Sequence, residues 1–308
     1  MTTEQERRGP EAIAQLTEVR ARHPEAIAAA AAQRRRRPLL DGTGRLLLVA
    51  ADHPGRGALG VGPDGGAMAD RIDLLGRLVL ALSRPGVDGV LATADIVEDL
   101  LLLGALEDKV VVGSMNRGGL QGASFEMDDR FTGYDASTLA AMGFDGGKML
   151  CRIDLADAGT VTTLDGCGRA VAELARHRLV AMVEPFWSSR VGGRVVNDLT
   201  PDAVIRSMAV TSALGATSAY TWLKVPVVDD MARVMRATTL PTVLLGGDVS
   251  ADADATYERW SDALALPGVR GLVVGRALLY PPDGDVAAAV DMAASLVRPA
   301  AWTAARRA

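Results

Sequence analysis

From residue 45 onward the chain alternates short β-rich apolar runs with longer stretches whose apolar residues recur at helical spacing. Eight runs can be counted: Leu46–Ala50, Gly89–Ala92, Val110–Gly113, Lys148–Ile153, Leu179–Glu184, Ala219–Val225, Thr242–Leu245 and Gly271–Val274. Between them Ala69–Ser83, Leu164–His177, Asp202–Leu214 and Val286–Val297 read as helices, the last followed by the stop signal Pro299. Eight such units over about 260 residues match an α/β fold of the (β/α)₈ TIM-barrel type. The runner-up is an open doubly wound sheet. Its usual GxGxxG turn fails here, because Gly60-Val61-Gly62 runs into Pro63 and Asp64.

The first 37 residues follow another rhythm, Ala-rich and helical, broken at His23-Pro24 and ending in Arg34–Arg37 and Pro38. The expected organisation is an N-terminal helical extension over 1–40 and a barrel domain over 41–300. The arginine run is expected to be a solvated helix end rather than a nucleic-acid patch, since neither aromatic nor further basic residues accompany it.

Composition supports one large core. Apolar residues make up 49% of the 308 positions and charged residues 23%, with only 4% aromatic, so branched aliphatics and Ala must fill the interior. A net charge of −5 argues against a nucleic-acid partner. There is no secretory leader pattern and no uninterrupted apolar run of membrane length. With just two cysteines, Cys151 and Cys167, a cytoplasmic protein is expected, Cys151 being a buried free thiol. The N-terminal helix offers a contact for a homo-oligomer.

A barrel interior takes branched apolar side chains, and a charge inside it is costly unless it is paired or used. Lys224 stands in an otherwise uncharged run, Ala219-Tyr-Thr-Trp-Leu-Lys-Val-Pro. Alternation along a strand puts it on one face with Tyr220 and Trp222, and Leu223 and Val225 on the other. Lys148 opens the fourth run. The fourth and sixth runs are both even-numbered and feed the same interior layers, so the two lysines are expected to approach each other. A neighbouring cation and partial burial favour the neutral amine that attack on a carbonyl requires. Asp52 ends the first run and Glu184 the fifth. Both are odd-numbered, and these carboxylates can balance the lysines and move protons. The same four residues could instead form an internal salt-bridge layer without chemistry.

The seventh run ends in Gly246-Gly247 and the eighth in Gly275-Arg276, at loops where barrels often hold phosphate on backbone N–H groups. His53 and Arg56, in the long loop over 52–68, are candidate substrate contacts, as is Arg152 in the fourth run. A second long loop covers Ser114–Asp135. Only one of three histidines, His53, falls at this face, so no metal site is expected.

This constellation resembles the class I aldolases of the tagatose-bisphosphate and sulfofructose-phosphate type, relatives of the archaeal-type fructose-bisphosphate aldolases. The resemblance spans about residues 45–280. It implies a TIM barrel with Lys224 as the Schiff-base lysine, Lys148 in Asp145-Gly-Gly-Lys as the second lysine, Glu184 in Val183-Glu-Pro and Asp52 as the acids, and phosphate at Gly246, Gly247, Gly275 and Arg276. Deoxyribose-phosphate aldolases and the aldolases of inositol breakdown are neighbours. The implied activity is cleavage or formation of a carbon–carbon bond in a phosphorylated ketose or keto-acid, without a cofactor, releasing dihydroxyacetone phosphate and an aldehyde. The rivals are a phosphosugar isomerase or epimerase that uses no imine, and a non-catalytic sugar-phosphate-binding barrel. The His53-Pro54 pair and the N-terminal 40 residues depart from the family pattern.

Overall fold

A computed structural model describes residues 9–247 and 252–299. Residues 1–8 of the expected extension and residues 248–251 and 300 of the expected barrel domain lie outside these ranges. Among the described residues nine strands alternate with helices in the order α1 (Pro10–Arg22), α2 (Glu25–Gln33), β1 (Leu46–Ala51), α3 (Arg71–Ser83), β2 (Gly89–Ala92), α4 (Ala94–Leu102), β3 (Val110–Ser114), α5 (Ala136–Ala141), β4 (Gly146–Ile153), α6 (Gly159–Arg176), β5 (Val180–Val191), β6 (Arg194–Asp198), α7 (Pro201–Ser212), β7 (Thr221–Pro226), α8 (Met231–Met235), β8 (Thr242–Leu245), α9 (Ala253–Leu264), β9 (Val269–Val274), α10 (Arg276–Leu279) and α11 (Val286–Val297).

Eight of the strands are parallel neighbours in the circle β1-β2-β3-β4-β5-β7-β8-β9, and β9 pairs back onto β1. The β4–β5 ladder, from Gly146↔Val180 to Ile153↔Trp187, completes the ring and rules out an open sheet. The fold is therefore a (β/α)₈ TIM barrel. Its strands show the two-sided burial of a parallel sheet. Leu46, Leu48, Ala50, Leu91, Val112, Met182, Trp222 and Val243 form the interior cluster. Leu47, Val49, Met149, Cys151, Leu223 and Val225 join the larger shell between strands and helices. Low in the barrel β2 passes so close to β3 that a Cβ on Gly89 would lie 1.9 Å from the Val110 carbonyl oxygen, a space that glycine alone fits. Both cysteines are buried and free.

The periodicity places every barrel strand, and the differences lie at the ends. The fourth run begins at Gly146, two residues before Lys148, and the sixth is Thr221–Pro226. The fifth run does not stop at Glu184. It continues to Val191, turns through Gly192-Gly193 and pairs antiparallel with β6, a hairpin that rises beyond the barrel.

The Arg34–Arg37 run meets its expectation of a solvated helix end only in part: Arg35 and Arg36 are exposed, but Arg34 and Arg37 turn inward. The helix stops at Gln33, and the extended segment after it runs across the amino-terminal end of the barrel, where Leu39 and Leu40 pack against the interior cluster. Arg34 is buried and donates to the carbonyls of Lys109 and Gly143 at 2.6 and 2.8 Å. Arg37 reaches Asp88 at 2.5 Å, and Asp88 also accepts from Arg298 and from the Leu47 amide. Buried loop carbonyls and a buried carboxylate there need donors, and the arginines supply them.

Candidate active site

The carboxyl-terminal ends of the barrel strands surround a cavity of about 650 Å³. At its floor five charged side chains from five different segments form one chain of alternating sign: Arg117, Asp52, Lys148, Glu184 and Lys224. Asp52 follows β1 and accepts from Arg117 and, at 3.0 Å, from Lys148 Nζ of β4. Glu184 of β5 stands between the lysines, one carboxylate oxygen on Lys148 Nζ and the other 2.5 Å from Lys224 Nζ of β7. No member of the chain is more than 8% exposed. The inward placement comes from strand alternation: Lys224 follows Trp222 on the interior face, and Glu184 follows Met182. The two lysines do approach each other, with a carboxylate between them rather than charge against charge.

The electrostatics follow from this packing. Burial works to raise the Asp52 carboxyl, but Arg117 first and Lys148 next hold it well below the usual carboxylate range. Burial likewise opposes ionisation of Glu184, and Lys148 and Lys224 overcome it, bringing the carboxyl down to about 2. Lys148 moves down from the ordinary lysine value because burial outweighs the attraction of Asp52 and Glu184. Burial also brings His53 down to about 4, against the pull of Asp52, so its ring is neutral at neutral pH. Three cations against two carboxylates leave the floor with one net positive charge, suited to an anionic ligand.

His53, Gly246, Gly247, Gly275 and Arg276 line the same cavity, at the mouths of β1, β8 and β9. Arg56 and Arg152 also reach its wall, but their guanidinium groups are engaged with the loop between β3 and α5. Arg56 donates to the carbonyls of Asn116 and Gly119, both at 2.9 Å, and pairs with Asp129. Arg152 donates to the Glu126 carbonyl at 2.7 Å and pairs with the Glu126 carboxylate. Both therefore fasten the loop between β3 and α5. Among the described residues no group of three or more His, Cys, Asp or Glu side chains is arranged to hold a metal ion, and no helix is long and apolar enough to cross a membrane.

Three contributors escape the sequence patterns. Arg117 lies in an irregular loop and finds Asp52 across 65 positions. Asn116 hydrogen-bonds both the carbonyl and the amide of Leu150, at 2.6 and 2.8 Å, extending the β3–β4 pairing through a side chain. The β5–β6 hairpin and α9 bring Val196, Asn197 and Trp260 to the cavity. Of these the Gly192-Gly193 dipeptide is the one legible signal, a hairpin turn between two β-rich segments.

The chain is a (β/α)₈ barrel with two lysines at the floor of its cavity, and its fold is shared with solved aldolases. Its neighbours include an archaeal fructose 1,6-bisphosphate aldolase, 17% identical with a TM-score of 0.62 over 88% of this chain and 98% of that one. A Schiff base forming fructose-1,6-bisphosphate aldolase aligns similarly, at 17% identity and a TM-score of 0.62, over 88% of this chain and 99% of that one. The chain belongs to the Cgl0159-like family, whose model matches residues 44–294. The crystal structure of Cgl0159 from Corynebacterium glutamicum (Brevibacterium flavum) is 58% identical with a TM-score of 0.93, over 94% of this chain and 98% of that one. No curated protein sequence matches the chain.

Proposed function

We propose that the protein is a class I aldolase that cleaves or forms a carbon–carbon bond of a phosphorylated ketose or keto-acid through a Schiff base on Lys224. The observation that carries this reading is the placement of Lys224 Nζ at the floor of the cavity, 2.5 Å from Glu184, whose second oxygen is held by Lys148. A buried amine with a carboxylate at hydrogen-bond distance has both requirements of imine formation, a nucleophile and a group that moves its proton. The Schiff base forming aldolase that shares the fold lends the reading support by analogy.

In this scheme Glu184 relays the proton of the Lys224 ammonium to the substrate oxygen as the amine attacks the ketone. The carbinolamine oxygen is protonated and leaves as water, giving the iminium. Asp52 then removes the proton of the hydroxyl on the carbon to be released. The C–C bond breaks, the aldehyde departs, and the bonding pair moves into the iminium to make an enamine. Protonation of the enamine carbon and addition of water return the amine and release dihydroxyacetone phosphate. Lys148 keeps both carboxylates in place and reaches a substrate oxygen. The glycine amides of 246, 247 and 275 and the Arg276 guanidinium hold the phosphate. No cofactor is required, since the protonated imine serves as the electron sink.

Incubation with a panel of phosphorylated ketoses and keto-acids, with the released triose phosphate measured by a coupled assay, tests the activity. Release by the wild type and none by Lys224→Met is the expected result. Triose phosphate release that persists in Lys224→Met overturns the imine scheme, and conversion of a substrate without any triose release leaves an isomerase or epimerase.

A further inference from the structure

The acid–base chain has an end that the scheme above does not use, the guanidinium of Arg117. It is 8% exposed, and its fork is divided. Nε donates to Ser114 Oγ at 2.6 Å, at the end of β3, and NH2 donates to Asp52 Oδ2, at the end of β1. Lys148 Nζ approaches the same oxygen, Oδ2, at 3.0 Å. Both hydrogen bonds that the Asp52 side chain accepts among the described residues thus fall on one oxygen. The other, Oδ1, lies 3.8 Å from His53 Nδ1, and both residues line the cavity. A carboxylate gripped at one oxygen by two cations presents its second oxygen with a fixed direction. A planar fork anchored at two points sets that direction more firmly than an ammonium would.

The stem of Arg117 is held as well. A Cβ on Gly55 would lie 3.2 Å from Arg117 Cδ and 2.8 Å from Thr93 Cγ2, so the turn after His53 packs its bare glycine against the arginine. The titratable groups facing Asp52 are Arg117 from the loop after β3, Lys148 from β4, Glu184 from β5, Lys224 from β7 and its own neighbour His53. Arg117 is the largest favourable influence on its ionisation.

We propose, building on the aldolase reading, that Arg117 is a positioning residue of the acid–base site, which by gripping Asp52 Oδ2 together with Lys148 leaves Oδ1 directed into the cavity to take the substrate's proton. Removing the grip lets the carboxylate turn and hold a proton at higher pH, so the group that must accept a proton is less often available.

The test follows Asp52 by ¹³C NMR in full-length protein labelled at the aspartate carboxyls, with the resonance assigned through Asp52→Asn. Wild type, Arg117→Met, Arg117→Lys and Gly55→Ala are titrated. Arg117→Met is expected to raise the Asp52 midpoint by about 1–3 pH units, the size of an opposite-charge effect at this range. Arg117→Lys should restore part of the shift. Gly55→Ala, which presses a methyl on the arginine stem, should fall between wild type and Arg117→Met. The acid limb of kcat for retro-aldol cleavage should move with the NMR midpoint, while KM changes less. An unmoved midpoint and acid limb, with only Tm lowered, would make Arg117 a structural residue and overturn the proposal. Should Arg117→Met fail to fold, the midpoints of Arg117→Lys and Gly55→Ala decide between the same two outcomes. A wild type that cleaves no substrate would remove the aldolase reading, and the midpoints would still decide whether Arg117 governs Asp52.

Discussion

A buried charge is tolerated when each neighbour answers it, and the floor of the cavity is five such answers in a row. This makes single substitutions informative. Glu184→Gln keeps the shape and one hydrogen-bond acceptor but loses the base. We expect kcat to fall by about 10²–10⁴, with borohydride-trappable imine forming more slowly, as single-turnover kinetics would register. The same carboxyl sets a pH dependence of stability. Its value falls from 4.5 to about 2 on folding. A lowered carboxyl contributes stability that is present above the ordinary value and is lost as pH falls toward the folded one. Denaturation midpoints should therefore drop as pH is lowered from about 4.5 to 2, and less steeply in Glu184→Gln. His53 acts in a different window. Its folded value of about 4 against 6.5 means that the unfolded chain binds the extra proton, so stability rises with pH between those values. His53→Asn should flatten that segment of the curve; an unchanged slope there would contradict a neutral ring at position 53.

At the level of elements, the strands were legible because two faces of burial leave continuous aliphatic runs, and the interior face of Lys224 was legible because alternation has a period of two. The β5–β6 hairpin was not. Apart from the buried Ser188 its residues are half buried or exposed, so neither an apolar run nor a clean alternation marks it. The Arg117–Asp52 contact was hidden for a related reason: it joins two loops, and nothing local in the sequence ties residue 52 to residue 117. The arginine run after α2 misled because the sequence shows four charges but not the carboxylate and carbonyls they meet. Close approach of strands makes its own prediction. Gly89→Ala would drive a methyl into the Val110 carbonyl, so we expect a loss of about 1–3 kcal/mol or more. Denaturant unfolding with an unchanged midpoint would show that β2 and β3 can separate at little cost.

For the molecule as a whole, the two ends of the barrel divide the labour. The amino-terminal end is closed by Leu39 and Leu40 and fastened at Asp88, which holds Arg37, Arg298 and the Leu47 amide together. Asp88→Ala leaves the buried Leu47 amide without its acceptor and two arginines without their shared carboxylate, and should cost about 3 kcal/mol. Activity per folded molecule should be kept, because Asp88 is remote from the cavity. A variant that lost activity while still folded would mean that the two ends are coupled. The carboxyl-terminal end carries the charged chain, the glycine mouths of β8 and β9 and the loop after β3 held by Arg56 and Arg152. The central claim concerns one atom there, Lys224 Nζ. Borohydride reduction in the presence of phosphorylated ketoses and keto-acids, read by peptide mass spectrometry, tests it most directly. The account predicts a mass increment equal to the reduced substrate adduct on the peptide bearing Lys224, absent without substrate. Substrate turnover with no adduct on Lys224, or an adduct confined to Lys148, would contradict it.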